Sequence, residues 1–171
     1  YAAIKTAEPF LPAGTVIARE QTYVHTFYKK EATAQQPATS KEEGNLVAFS
    51  GPDFKATFDK QSGLLTSYLY KKHEYILNGQ GPRPFFWRAP TDNDYGANLP
   101  VRLKAWKEAS YQEPKAESFQ VTPGSNATTI KVTYRFPQTD ARWDITYKIY
   151  ASGVIKVDNR FVAEGDQAPM I

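Results

Sequence analysis

The sequence contains no cysteine, one methionine and two histidines among its 171 residues. Without cysteine the chain has neither a disulfide framework nor a thiolate metal site. No stretch approaches the roughly 20 consecutive apolar residues that a transmembrane helix requires. Neither sign of charge is in strong excess, since the chain has 21 Lys and Arg residues and 18 Asp and Glu residues. No basic run is present. These absences argue against a membrane partner and against a nucleic-acid partner.

Motifs for phosphate binding and zinc binding are absent as well. His25 and His73 lie far apart in the sequence, with no serine or cysteine motif near either. His25 alternates with Tyr23 and Phe27, which favours a packed histidine on a strand. The sequon at 126–128 is too short a pattern to be specific, and we interpret it as a turn.

The residues that are abundant favour β-structure. Aromatic residues make up 14% of the chain, and flat rings pack well on a pleated sheet. Alternation of apolar and polar residues predicts strands over 45–49, 53–59, 64–70, 117–122, 128–136, 142–150 and 154–163. On the last of these the pattern directs Ile155, Val157 and Phe161 inward. Antiparallel strands with one solvated face give such alternation, so we predict an all-β, antiparallel β-sandwich.

The first 44 residues differ from the rest. Residues 16–28 are rich in Val, Ile, Thr and aromatics and predict a strand. Residues 31–44 are polar, contain Pro37 and lack an apolar period, which predicts a linker. We therefore divide the chain into residues 1–30, the linker 31–44, and residues 45–171. The first residue is Tyr1 and the only methionine is Met170, so we expect a segment of a longer protein.

One interval, residues 78–100, breaks the strand pattern and holds four of the twelve prolines. A long irregular stretch inside a compact domain is usually functional or disordered, and the density of aromatics here favours order. After it we predict one short helix that ends near Tyr111. Asn98 is placed as its N-cap and Pro100 in its first turn.

Residues 85–96 (FFWRAPTDNDYG) combine aromatics, one fixed cation and two carboxylates. The functional interpretations are a sugar-binding platform, a cation site or a carboxylate pair. The structural interpretation is that Arg88 pairs with Asp92 or Asp94 while the aromatics pack in a core. Carboxylates two residues apart rarely flank a sugar, and the run lacks the ligand ladder of a calcium site, so neither catalytic residues nor a metal site is assigned.

Residues 87–96 (WRAPTDNDYG) closely resemble a hallmark of the large glycoside hydrolase family 2 β-galactosidases, W/T-R-A-P-x-D-N-D-x-G. Residues 58–65 resemble the hairpin that enters the same domain of that family. Residues 11–28 resemble the last strand of the immunoglobulin-like domain before it. The resemblance implies that 1–30 end that domain and that 45–171 begin the C-terminal β-supersandwich, a galactose-mutarotase-like fold also called the small-chain domain.

The family cleaves terminal β-D-galactosides with retention, through two glutamates in a TIM barrel with Mg²⁺ nearby. No barrel pattern exists here, so the resemblance implies a non-catalytic segment with no cofactor of its own. Its partners would be the remainder of the parent chain and, in the intact enzyme, the galactoside. Localisation stays open between the bacterial periplasm and cytoplasm.

The resemblance also implies roles for the residues of the run. Gly96 would be the hinge of a substrate loop, with 97–102 as the moving segment, because glycine adopts backbone angles closed to other residues. The substrate loop would comprise Gly96, Ala97 and Asn98. The support of its base would comprise Arg88, Asp92, Asn93 and Asp94.

A rival hypothesis is a stand-alone carbohydrate-binding β-sandwich module. Its sugar platform would comprise Phe85, Phe86, Trp87 and Tyr95. A part of a supersandwich would have unpaired edge strands, which predict self-association, whereas a binding module should fold with capped edges.

Overall fold

The computed structural model describes residues 1–21 and 36–163. The chain divides into two compact units, Tyr1–Thr33 and Ala34–Ile171. In the first unit, β1 (Ala2–Ala3) pairs antiparallel with β2 (Val16–Ala18). The strand predicted over 16–28 is therefore a strand in its first three residues, and its part from residue 22 onward, with His25, lies outside the described residues.

The second unit begins with a five-stranded antiparallel sheet in chain order. Its strands are β3 (Thr39–Glu43), β4 (Leu46–Ser50), β5 (Phe54–Asp59), β6 (Leu65–Tyr70) and β7 (His73–Glu74). Strand β3 lies inside the predicted linker, so that prediction is wrong for residues 39–43. All five residues of β3 are exposed and none is apolar. The strand forms because its backbone pairs with β4 at the sheet edge, where charged side chains are common.

A second antiparallel sheet follows, in the order β11-β10-β9-β8. Its strands are β8 (Ser118–Thr122), β9 (Thr128–Phe136), β10 (Ala141–Ile149) and β11 (Ile155–Ala163). The two sheets share one core. Its buried residues are Ala38, Val47, Phe49, Phe54, Ala56, Phe58, Leu65, Ile130, Val132, Tyr134, Ile145, Tyr147 and Ile149. Across it the rings of Phe58 and Tyr147 meet edge to face at 5.1 Å, and the predicted antiparallel β-sandwich is confirmed.

The last strand has the predicted orientation but is less buried than expected at two residues. Val157 is 47% exposed and Phe161 is 41% exposed. Both face the same side of the sheet as the core, because they lie opposite Tyr147 and Trp143 of β10. Among the described strands, however, β11 is at the edge of its sheet, and these two side chains are only partly covered.

Three short helices, rather than the one predicted, connect the two sheets. They are α1 (Asp92–Gly96), α2 (Leu99–Arg102) and α3 (Lys104–Tyr111). Asn98 precedes α2 in the left-handed conformation, with φ of 56°, and its side chain makes no capping hydrogen bond. Asparagine tolerates this conformation, which separates α1 from α2. Asn98 therefore holds the predicted N-cap position, but of the shorter helix α2 and without a hydrogen bond from its side chain. Pro100 does lie in the first turn of α2. No helix within the described ranges is long and apolar enough to cross a membrane.

Candidate functional site

Phe86 anchors the aromatic-rich run to the second sheet. Its ring centroid lies 5.0 Å from that of Trp106 on α3, 5.3 Å from Phe136 and 5.5 Å from Phe161. The backbone N–H of Phe86 donates to the hydroxyl of Ser110 at 2.8 Å, and that hydroxyl donates to the carbonyl of Trp106 at 2.8 Å. Trp106 and Ser110 are both buried. The run and helix α3 are therefore held together by ring packing and a buried hydrogen-bond chain.

Arg88 and Asp94 form a bidentate ion pair at the base of α1. The two guanidinium nitrogens of Arg88 donate to the two carboxylate oxygens of Asp94 at 2.6 and 2.9 Å. The backbone N–H and the hydroxyl of Thr91 also donate to Asp94, at 2.7 and 3.0 Å. Thr91 and Asp94 thereby form a capping box, and a carboxylate in the first turn is favoured by the helix dipole. Of the two pairings left open by the sequence, Arg88 with Asp94 is the observed one.

These contacts hold Asp94 in its ionised form. Hydrogen bonding from Arg88, followed by that from the backbone of Thr91, holds the pKa of the Asp94 carboxyl well below its usual range. The same pairing raises the pKa of Arg88. The Asp94 side chain is nearly covered while that of Arg88 is 67% exposed, so the cation faces outward over a buried anion.

This geometry predicts a pH-dependent contribution to stability. A depressed folded-state pKa means that Asp94 stabilises the fold above the ordinary carboxyl pKa of 3.8, and that this stabilisation is lost as the pH falls below it. We expect Asp94→Asn to lower the unfolding temperature at about pH 7, and the gap from wild type to shrink at about pH 3. Circular dichroism melts at both pH values measure this.

Asp92→Asn is the matched control, because Asp92 is an exposed carboxylate in the same helical turn. It should melt close to wild type at both pH values. An Asp94→Asn gap of equal size at both pH values would contradict the role assigned to the ionised pair.

A cleft of about 350 Å³ lies beside this ion pair. It is lined by Phe86, Trp87, Arg88, Pro90, Asp94, Leu99, Pro100 and Leu103. Its walls are mostly apolar, with one cation and one carboxylate already engaged with each other. Such a cleft suits a ligand that has an apolar face and a hydrogen-bonding group at the edge of that face.

The residues of the predicted sugar platform lie in different surroundings. Phe86 packs within the aromatic cluster and, with Trp87, lines the cleft, so its assignment to a platform stays a prediction. Trp87 is half-buried, and the ammonium of Lys107 lies 5.6 Å from its ring centroid. Tyr95 and Phe85 are exposed, and Phe85 meets Tyr111 edge to face at 5.4 Å.

Gly96 occupies a different conformation from the one expected. It is the last residue of α1, and its φ lies outside the left-handed region. A Cβ added there would meet no atom within 4 Å. The expectation that Gly96 uses angles closed to other residues is therefore wrong for this conformation, and Asn98 takes the left-handed angles instead. Ala97 and Asn98 are exposed, and the rest of the predicted moving segment is largely the helix α2.

Two site residues, Thr91 and Ser110, were missed in the sequence. The spacing of Thr91 and Asp94 is that of a capping box and was readable as a helix start. Ser110 has no such signal, because its partners Phe86 and Trp106 meet it only in the fold. Across residues 1–21 and 36–163, no group of three or more His, Asp or Glu side chains is placed to hold a metal ion.

Comparison with known proteins gives a consistent result. The family model of the β-galactosidase small chain matches residues 50–171. A β-galactosidase of Priestia megaterium is 32% identical over 126 residues, which are 73% of this chain and 12% of that protein. A β-galactosidase of Clostridium acetobutylicum is 34% identical over 116 residues, 67% of this chain and 13% of that protein.

A β-galactosidase small subunit of Latilactobacillus sakei is 29% identical over 133 residues, 65% of this chain and 41% of that subunit. This chain therefore spans 12% and 13% of the two β-galactosidases and less than half of the small subunit. Since the family model covers most of its length, the chain belongs to the β-galactosidase small chain family.

Proposed function

We propose that this chain is a non-catalytic component of a retaining β-galactosidase that hydrolyses terminal β-D-galactosides. In this proposal it shapes the mouth of a barrel active site carried by the remainder of the parent protein. Its family membership and its small share of the related β-galactosidases support that division of labour. The catalytic glutamates and their Mg²⁺ would belong to the remainder.

The observation that carries the proposal is the clamped base of the exposed loop. Arg88 and Asp94 hold the start of α1, while Gly96, Ala97 and Asn98 are exposed just beyond it. A rigid base with a free tip is the arrangement by which a scaffold positions a binding loop. Asp92 and Asn93 lie on the exposed surface of the same helix, and their assignment to the support of the loop base stays a prediction.

Turnover of a chromogenic β-galactoside tests this directly. The chain should be inactive alone and should restore activity when mixed with the separately produced remainder of its parent. Turnover by the chain alone would overturn the placement of the catalytic residues. Inactivity of the mixture, with both parts folded, would overturn the proposed support. Binding of galactose by the chain alone, with quenching of tryptophan fluorescence that the Trp87→Ala variant loses, would favour the rival binding module.

Gly96→Ala separates a hinge role from a structural one. A Cβ at Gly96 enters open space, and alanine is favoured over glycine within a helix by about 0.5–1 kcal/mol, so the variant should be at least as stable as wild type. If the loop moves about this residue, activity of the mixture should nevertheless fall several-fold, because alanine narrows the accessible backbone angles. Urea unfolding and the mixing assay give the two readouts.

The matched control is Gln120→Ala, an exposed change on β8 that should alter neither readout. Full activity of the Gly96→Ala mixture, together with unchanged stability, would exclude the hinge.

A further inference from the structure

The segment that carries the exposed loop leaves and returns to one place in the fold. It leaves at Phe86 and returns in helix α3. The ring of Phe86 lies 5.0 Å from that of Trp106, centroid to centroid. Next to this pair, the ring of Phe85 meets Tyr111 at 5.4 Å. These four residues form a neck, and residues 87–103 extend from it.

The side chain of Ser110 joins the two sides of this neck by hydrogen bonds. Its hydroxyl accepts from the backbone N–H of Phe86 at 2.8 Å and donates to the carbonyl of Trp106 at 2.8 Å. Ser110 is only 1% exposed, so water does not compete for either bond. The hydroxyl therefore fixes the backbone at the start of the loop against the helix at its end.

Serine is unfavourable at a buried helical position unless its hydroxyl has a second partner. It forms helix less readily than alanine, and a hydroxyl that bonds the carbonyl four residues earlier slightly destabilises or bends a helix. Alanine at position 110 would remove both effects, but it would also leave the N–H of Phe86 without its acceptor. An unsatisfied donor costs more than a satisfied one gains. The hydroxyl of Ser110 thus serves the start of the loop rather than α3 itself.

We propose that Ser110 is a positioning residue for galactoside hydrolysis, because it sets the direction in which the loop leaves the neck. This role rests on the proposed function, in which residues 96–98 lie at the mouth of the active site. The path from Ser110 to that tip is short. Arg88 follows Phe86 by two residues, and its guanidinium holds the carboxylate of Asp94 in α1. A rotation of the backbone at Phe86 would therefore move the ion pair and the tip together.

Steady-state kinetics of the intact parent enzyme with a chromogenic β-galactoside test this role. Ser110→Ala should raise KM by about fivefold and leave kcat within about twofold of wild type. The reason is that a displaced tip loses contacts that the bound substrate and the transition state share. A purely structural role predicts the opposite pattern. Partial unfolding lowers the active fraction, and with it the apparent kcat, while KM stays unchanged.

Ser110→Cys is a second variant, for the case in which the alanine variant does not fold. It keeps a side chain of similar size but offers a weaker hydrogen-bond acceptor. Its KM should rise in the same direction, by less than that of Ser110→Ala. An unchanged KM in the folded Ser110 variants would overturn the proposal.

Ile130→Val is the control for stability, because Ile130 is fully buried in the core shared by the two sheets. It should lower the unfolding temperature without changing KM. An equal rise of KM in Ile130→Val would also overturn the proposal, since any loss of stability would then have the same effect.

Asp94→Asn distinguishes a failure of this proposal from a failure of the proposed function, because it loosens the loop base directly. If Asp94→Asn raises KM while the Ser110 variants do not, the loop shapes the active site without help from Ser110. If Asp94→Asn also leaves KM unchanged, the proposed role of the loop base falls together with that of Ser110.

Discussion

Trp106→Ala is expected to lower the free energy of unfolding by about 3–5 kcal/mol, the usual cost of emptying a site filled by a large buried ring. Trp106 is 1% exposed, and its ring lies 5.0 Å from Phe86 and 5.9 Å from Phe161, centroid to centroid. Its removal leaves a cavity between α3 and the second sheet. Guanidinium unfolding followed by circular dichroism measures the change without depending on tryptophan fluorescence.

Trp87→Ala is the matched control, since it deletes the same side chain from a half-buried position. Its cost should be near 1 kcal/mol, because the ring of Trp87 buries less apolar surface on folding than that of Trp106. That cost includes the loss of one cation–π contact with Lys107. Equal costs for the two variants would contradict the view that Trp106 anchors the run. Activity of the mixture should fall for Trp106→Ala, because Phe86 and the clamp after it lose their support.

Gly81→Ala is expected to destabilise the fold by about 3 kcal/mol or more, as overpacking against rigid backbone does at its upper range. A Cβ at Gly81 would lie 1.8 Å from the carbonyl oxygen of Leu65 and 2.9 Å from its carbonyl carbon. Leu65 begins β6 and belongs to the core, so its backbone cannot shift cheaply. The segment that leads to the run would therefore be displaced from the sheet.

Gly96→Ala serves as the comparison for this variant, because the same methyl group enters open space there. The midpoint of urea unfolding should fall sharply for Gly81→Ala and stay level or rise for Gly96→Ala. Similar midpoints would show that the strand β6 yields to the added methyl group, contrary to the close approach described.

Local sequence patterns were sufficient to predict the structure wherever a residue's burial or turn geometry depends on its neighbours along the chain. Alternation along β9 correctly places Ile130, Val132 and Tyr134 on the buried face, because successive side chains of a strand point to opposite sides. The turn between β5 and β6 was readable too: the carboxylate of Asp59 accepts hydrogen bonds from the backbone of Gln61 and Ser62. The run 87–96 was enough to indicate the family.

The candidate site was only partly readable, for a physical reason that Arg88 illustrates. Its charge predicts a carboxylate partner, but the sequence offered both Asp92 and Asp94. The helical turn of α1, closed by the capping box with Thr91, directs Asp94 rather than Asp92 toward Arg88. The choice between two equivalent carboxylates depends on the direction in which the backbone points each side chain. The order of charged residues in the sequence does not give that direction.

By itself, the sequence determined the antiparallel β-class, most strand positions and the family. These properties follow from local period, turn chemistry and a contiguous motif. Only the tertiary structure decided that residues 39–43 form an edge strand, that Val157 and Phe161 stay exposed, and that Ser110 joins two distant segments. Those outcomes depend on which element covers another, because burial and pairing are set by neighbours in space rather than along the chain.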